Sequence, residues 1–249
     1  MQDSSFEVIN HTSDHPLIIT CEHANSKIPN QYNNLGLTED VLNTHIARDK
    51  GAKELTQKLA QELGCFAIMG NYSRLLIDLN RRPDEKELIV STSDKITVPN
   101  NLSISKEEKN KRLKDYYYPY YQQIEKQINF LQKQKIKPVI LSIHSFTPQL
   151  KTGKYRPWHT GILWHKPTKL ASYLYDKLQN KGKKIGENVP YDLRKYNTGT
   201  AVVCGEEQGF DYALIEIRDD EFADVEQGSI YWSNLLANCL KEYFNKQYL

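Results

Sequence analysis

Short apolar runs recur along the chain, and each is closed by polar or turn-forming residues. Leu17-Ile18-Ile19-Thr20 precedes Cys21-Glu22-His23, Pro138-Val139-Ile140-Leu141 precedes Ser142-Ile143-His144-Ser145, and Ala213-Leu214-Ile215 precedes Glu216-Ile217-Arg218-Asp219-Asp220. Runs apolar at successive positions are the pattern of buried parallel strands. Strands are therefore predicted over Leu17–Cys21, Cys65–Met69, Leu75–Leu79, Pro138–His144, Gly161–His165 and Tyr212–Ile217. Between them, apolar residues return at helical spacing. Thr38 suits an N-cap, Glu39 and Asp40 complement the dipole of a first turn, and Val41, Leu42, His45 and Ile46 continue the period. Leu55, Leu59 and Leu63 share one face of a helix over Ala52–Leu63, which Gly64 stops. Ser105–Gln134 reads as mostly helical with an interruption near Pro119, Thr168 caps a helix reaching about Lys181, and Val225–Phe244 forms a C-terminal helix. Arg82–Asn101 has no period and reads as a long loop, a feature usually functional or disordered. Strands alternating with helices predict an α/β fold, a mostly parallel sheet with helices on both faces. No repeat and no linker divides residues 1–249, so a single domain is expected.

Composition narrows the function classes. With 39% hydrophobic and 26% charged residues, the 249-residue chain reads as a soluble globular protein with a sizeable core. A formal net charge of +2 gives no global electrostatic case for nucleic acid. The tyrosine-rich stretch Tyr116-Tyr117-Tyr118-Pro119-Tyr120-Tyr121 resembles a base-stacking platform, but Glu107, Glu108 and Asp115 interleave with the lysines before it. Packing on a core edge is the simpler expectation there. No apolar run reaches the ~18 residues of a membrane span, and the N-terminus lacks the basic and apolar regions of a signal peptide. Cys21, Cys65, Cys204 and Cys239 have no paired spacing, so neither a zinc ribbon nor a disulfide framework is expected. A cytoplasmic location with reduced thiols follows as the default.

The chemistry gathers at strand ends, where open α/β sheets bind their ligands. His23 and His144 hold equivalent positions and suit two ligands of a transition metal, most simply zinc. Either can instead be a hydrogen-bonded residue of a turn. His165 also ends a predicted strand, but Lys166-Pro167 places it in a surface turn. Asp49, between two helical stretches, either caps a helix or points back toward the first strand end as a third ligand. Glu22 is the second choice, since strand alternation sends it away from His23. Asn80 and Arg81 set an amide beside a fork of guanidinium donors, which suits a substrate carboxylate. Arg74 can pair with Asp78, and otherwise joins Asn80 and Arg81 in the substrate-binding set. Glu216 and Arg218, two apart on one strand face, suit a general base and an anion or oxyanion partner, or a buried ion pair.

The same residues carry a family resemblance. Cys21-Glu22-His23-Ala24-Asn25 with Ile28-Pro29, His45-Ile46-Ala47-Arg48-Asp49-Lys50-Gly51-Ala52 and Ser73-Arg74-Leu75-Leu76-Ile77-Asp78-Leu79-Asn80-Arg81 come first. Ser142-Ile143-His144-Ser145-Phe146-Thr147-Pro148, Arg156-Pro157-Trp158-His159 with Gly161, Asn188-Val189-Pro190-Tyr191 and Ile215-Glu216-Ile217-Arg218-Asp219 follow in order. In these stretches, which span nearly the whole chain, the sequence resembles the N-formylglutamate amidohydrolase family. The resemblance implies a zinc-dependent amidohydrolase with a sheet similar to that of zinc carboxypeptidases and aspartoacylases. It implies a small-molecule carboxylate substrate held by Asn80 and Arg81, metal roles for His23 and His144, and Glu216 as the base. The wider group's HxxE motif would put Glu at position 26, where this chain has Ser26. Asp49 is the expected replacement ligand, with Glu22 second. A non-catalytic carboxylate-binding protein on the same fold is the alternative that Ser26 leaves open.

Overall fold

A computed structural model of the chain describes residues 4–247. The strands are β1 (Phe6–Ile9), β2 (Leu17–Cys21), β3 (Phe66–Gly70), β4 (Thr92–Ser93), β5 (Ile96–Thr97), β6 (Val139–Phe146), β7 (Thr160–Leu163), β8 (Ile185–Glu187) and β9 (Asp211–Arg218). The helices are α1 (Glu39–Leu42), α2 (Ala52–Leu63), α3 (Lys106–Arg112), α4 (Tyr118–Lys133), α5 (Lys169–Gln179) and α6 (Val225–Gln247). Seven strands form one sheet in the order β1-β3-β2-β6-β9-β7-β8, and β4 and β5 form a separate hairpin. The central strands β3, β2, β6 and β9 run parallel. β1 closes one edge antiparallel to β3, while β7 runs antiparallel to β9 and pairs in parallel with β8. β2 and β6 are buried along their whole length, as a strand covered on both faces requires.

α2, packed against β2, β3 and β6, forms a layer with α5 and α6, anchored by the fully buried Trp232 and Leu236. α4 and a π-type turn over Ala201–Gly205 cover the opposite face, where the Tyr120 hydroxyl donates to Glu22. The strand order turns around β2. β3 lies on one side of it and β6 on the other, so the crevice at the carboxyl ends of β2 and β6 is a topological switch point.

Several elements differ from the sequence reading. Leu75–Leu79 is not a strand but a series of tight turns, closed by Leu76 N–H to Ser73 O and Arg81 N–H to Asp78 O. Its leucines and isoleucine are buried all the same, and burial alone produces an apolar run without requiring a ladder. The helix starting after Thr38 stops at Leu42, where the Thr44 hydroxyl and N–H both turn back onto Val41 O. Within Arg82–Asn101 the β4–β5 hairpin is ordered by Asp94, which accepts from Lys151 N–H and faces His45 Nε2 at 3.2 Å. The break before α4 is a π-type turn over Leu113–Tyr117, with Pro119 seated in the first turn of α4, where its missing N–H costs nothing. Thr168 caps α5 through its hydroxyl, which accepts from Ala171 N–H. The tyrosines of this region pack against each other and the core, with Tyr116, Tyr117 and Tyr120 buried. All four cysteines are buried and unpaired. No helix among the described residues is long and apolar enough to cross a membrane.

Candidate active site

Backbone geometry brings the strand-end residues together. β2 ends at Cys21, so Glu22 and His23 already lie in a turn, and strand alternation no longer drives them apart. On β6 and β9, His144 and Glu216 are register partners in a parallel pair, so their side chains stand side by side on one face. Asp49 arrives from the connection between α1 and α2, and its N–H donates to His23 O at 2.9 Å. Gly51 follows at φ +78°, with Phe222 packed where a Cβ would stand. Only glycine turns the chain into α2 there while leaving Asp49 facing the strand ends.

The two imidazoles are held alike. His23 Nε2 lies 2.7 Å from Asp78 Oδ1, and His144 Nε2 lies 2.9 Å from Glu22 Oε2. The opposite nitrogens converge on one carboxylate: Asp49 Oδ2 is 3.3 Å from His23 Nδ1 and 2.9 Å from His144 Nδ1. Ser142 donates to Glu22, and Arg74 donates to Asp78 at 2.9 Å with Asp49 Oδ1 3.7 Å away. Burial would push the Glu22 carboxyl up, but contact with His144 dominates and holds it at about 2. Asp49 and Asp78 are likewise held below the usual carboxylate range against the effect of burial, Asp49 by His23 and His144, Asp78 by Arg74 and His23. Burial opposes charge on His144, yet Asp49 and Glu22 raise it well above an ordinary histidine. Glu216 goes the other way. Burial lifts its carboxyl to about 7, with Asp49 adding to the rise and His144 opposing it.

A cavity of about 310 Å³ opens over this cluster. His23, Asp49, Arg74, Asn80, Arg81, His144 and Glu216 all line it, so seven of the eight residues singled out in the sequence meet at one place. Three of its polar atoms, Glu216 Oε2, Ser145 Oγ and Thr198 Oγ1, are buried without a hydrogen-bond partner among the described residues. Buried polar groups are nearly always paired, so such orphans mark where a ligand or water belongs. Asn80 is fixed by Thr200 N–H donating to its Oδ1 at 3.0 Å, over Gly199 at φ +92°, where a Cβ would stand 2.7 Å from the same oxygen. Arg81 donates from Nη1 to Asn80 O, and its Nε is 3.9 Å from Glu85.

Arg218 is the eighth, and it does not line the cavity. Its guanidinium donates to Asp220 Oδ1 at 2.7 Å and to Arg156 O at 3.1 Å. The single-turn helix after β9 folds Asp220 back onto it, which residue spacing along a strand cannot reveal. Ser26 lies in a separate groove with Lys27, Asn30 and Tyr72. The carboxylate of the cluster comes instead from Asp49. Sequence reasoning missed Asp78 as the partner of His23, because it read Leu75–Leu79 as a strand and gave Asp78 only a local pairing with Arg74. It also missed Tyr191 and Thr198, on a loop whose path to the cavity no local signal records.

His23, Asp49 and His144 fit a transition-metal site by their donor chemistry. Their candidate ligand atoms lie within 4.8 Å of one another, and all three residues are buried. Each imidazole has its far nitrogen against a carboxylate, the outer-shell arrangement that fixes a metal-ligating histidine with its near lone pair inward. Glu22, Asp49, Asp78 and Glu216 bring four buried carboxylates, with Arg74 as the guanidinium paired among them, which favours a cation at the centre.

Fold and site together define a mostly parallel α/β protein with a buried carboxyl, Glu216, beside a histidine–aspartate cluster at the sheet's switch point. The N-formylglutamate amidohydrolase family model matches residues 15–223, and the chain belongs to that family of hydrolases. A gene product of Agrobacterium tumefaciens of known structure is 26% identical, with TM-score 0.91 over 99% of this chain and 97% of that one. N-formylglutamate amidohydrolase from Ralstonia eutropha JMP134 shares the fold at 18% identity, TM-score 0.74, over 98% of this chain and 99% of that one. Zinc-free YndL is similar in fold at 10% identity, TM-score 0.51, over 100% of this chain and 94% of its own. No curated protein sequence gives a significant match.

Proposed function

We propose that this chain hydrolyses the amide bond of an N-acyl amino acid, in the simplest case an N-formyl one, with zinc held by His23, Asp49 and His144. The observation that carries the reading is Glu216: a buried carboxyl with its Oε2 unpaired, raised to about 7, beside the His–Asp–His cluster in a cavity that Arg81 also lines. A bound zinc ion supplies Lewis-acid polarisation of the amide carbonyl and lowers the pKa of water.

The chain's own groups do the rest. Arg81, with the Asn80 amide beside it, binds the substrate carboxylate through charge-assisted hydrogen bonds. That contact places the scissile amide over the cluster, and the free hydroxyls of Ser145 and Thr198 offer donors to its polar atoms. Glu216 Oε2 takes the proton of the attacking water and returns it to the leaving nitrogen, so the C–N bond breaks to give a carboxylic acid and a free amino acid. Asp78 and Glu22 hold the two imidazoles, and Arg74 holds Asp78 in turn.

The test measures zinc content and release of formate from N-formyl amino acids, for wild type and His144→Ala. Stoichiometric zinc and turnover in the wild type, with both lost in the variant, are expected. Equal zinc content in the two proteins would remove the metal assignment.

A further inference from the structure

We infer that the substrate of this site carries a single carboxylate, and that its side chain is neutral and preferably apolar rather than a second acid. The inference rests on the N-acyl amino acid reading above and concerns the side chain that reading leaves undefined. A dicarboxylate such as N-formylglutamate brings two negative charges into the cavity, and each is held best by its own cation. The cavity has two guanidinium groups, Arg74 and Arg81. Arg74 is already committed: it donates to Asp78 Oδ2 at 2.9 Å and faces Asp49 Oδ1 at 3.7 Å. Turning it to a substrate would break its buried ion pair with Asp78, a costly exchange. Arg81 has only the Asn80 carbonyl and a distant Glu85, so it alone is available to an incoming carboxylate.

The neighbouring cations are no closer to serving as a second clamp. Arg82 donates to Asn197 O and Glu207, Arg194 pairs with Asp192, and Arg156 donates to Thr147 O beneath the Tyr191 ring. None of the three lines the cavity. Besides Arg81, the cluster residues and the neutral Asn80, Ser145 and Thr198, to which the reading above already gives roles, the lining is of two kinds. Leu163, Leu193, Leu214, Tyr191 and Tyr196 form an apolar wall, and Glu85 and Glu87 add negative charge. A second substrate carboxylate would meet acid and hydrocarbon, and both penalise a charged group. A neutral side chain would gain from the same wall.

The experiment compares kcat/KM for N-formylleucine, N-formylglutamine and N-formylglutamate on the zinc-loaded enzyme. Glutamine and glutamate have side chains of nearly the same shape but different charge, and leucine against glutamine reads the apolar wall. Glutamine is expected to exceed glutamate at least tenfold, with leucine at or above glutamine. The doubly substituted Glu85→Gln, Glu87→Gln protein should narrow the glutamine-to-glutamate gap severalfold, and Leu193→Asn should lower leucine relative to glutamine. Glutamate equal to or better than glutamine in the wild type, or a gap unmoved by removing both acids, overturns the inference while leaving N-formyl hydrolysis standing. Absence of turnover on all three substrates overturns the reading beneath it, and this inference with it.

Discussion

Glu216 shows how one residue's surroundings set its role. Its carboxyl stands near 7 in the folded protein against an ordinary 4.5, so the folded state keeps a proton that the unfolded chain releases. The stabilisation this gives is complete below about pH 4.5 and is lost as the pH rises through about 7. Glu216→Gln removes that loss. In protein stripped of metal, the variant should therefore gain on wild type between pH 5 and pH 8, by up to about 3 kcal/mol. Thermal melts of both proteins across that range check it, and parallel curves would show that Glu216 is not titrating there. The loaded variant should keep its metal and its fold while kcat falls by ~10²-fold or more. Arg81→Ala should act on the other parameter. Losing a charge-assisted contact of roughly 1.5–3 kcal/mol should raise KM about 10- to 150-fold, with a smaller change in kcat. Steady-state kinetics on an N-formyl amino acid separates the two, and an unchanged KM would detach Arg81 from the substrate.

At the scale of elements, the connection from α1 to α2 decides whether the cluster forms. Asp49 reaches the ends of β2 and β6 because Gly51 adopts a left-handed conformation and gives its Cβ space to Phe222 of the turn after β9. Gly51→Ala adds a left-handed alanine, costing about 1–2 kcal/mol, and forces Phe222 aside as well. Destabilisation of at least 2 kcal/mol is expected, together with weaker zinc binding because Asp49 shifts with the turn. Denaturant titration and a zinc-binding isotherm on one preparation measure both. A variant with normal stability and normal zinc affinity would show that the turn does not position Asp49. The Ser73–Arg81 segment works similarly. Its turns carry Arg74, Asn80 and Arg81 into one cavity and set Asp78 against His23, whereas a strand continued through the segment would have sent Arg81 to the face opposite Arg74 and Asn80.

The whole molecule gathers its site from segments far apart in sequence, so a ligand that binds the assembled cluster must stabilise the global fold. Zinc that binds only the folded state adds about 2.7 kcal/mol at a hundredfold excess over Kd, and chelation removes it. The melting temperature should rise by several degrees on adding zinc to stripped wild type and stay fixed in His144→Ala. A shift of equal size in both would mean that the ion binds elsewhere. The sequence alone was enough for the parallel core, because strands buried on both faces are apolar throughout: β2, β6 and β9 lie where the apolar runs fall. It also placed His23, His144 and Glu216 at strand ends, since an α/β sheet presents its chemistry there, and the caps of α2 and α5, since capping is local. It did not reveal β1 and β8, short strands at the sheet edges whose pairing depends on distant partners. Nor could it tell a buried turn from a strand at Leu75–Leu79, because both are apolar. The local turn after β9 set Arg218 on Asp220, while tertiary structure alone set Asp78 behind His23 and brought Asp49 across from another segment. Each of the last two is a contact made in space by residues whose neighbours in sequence say nothing of it, and that is where the charges of the site find their partners.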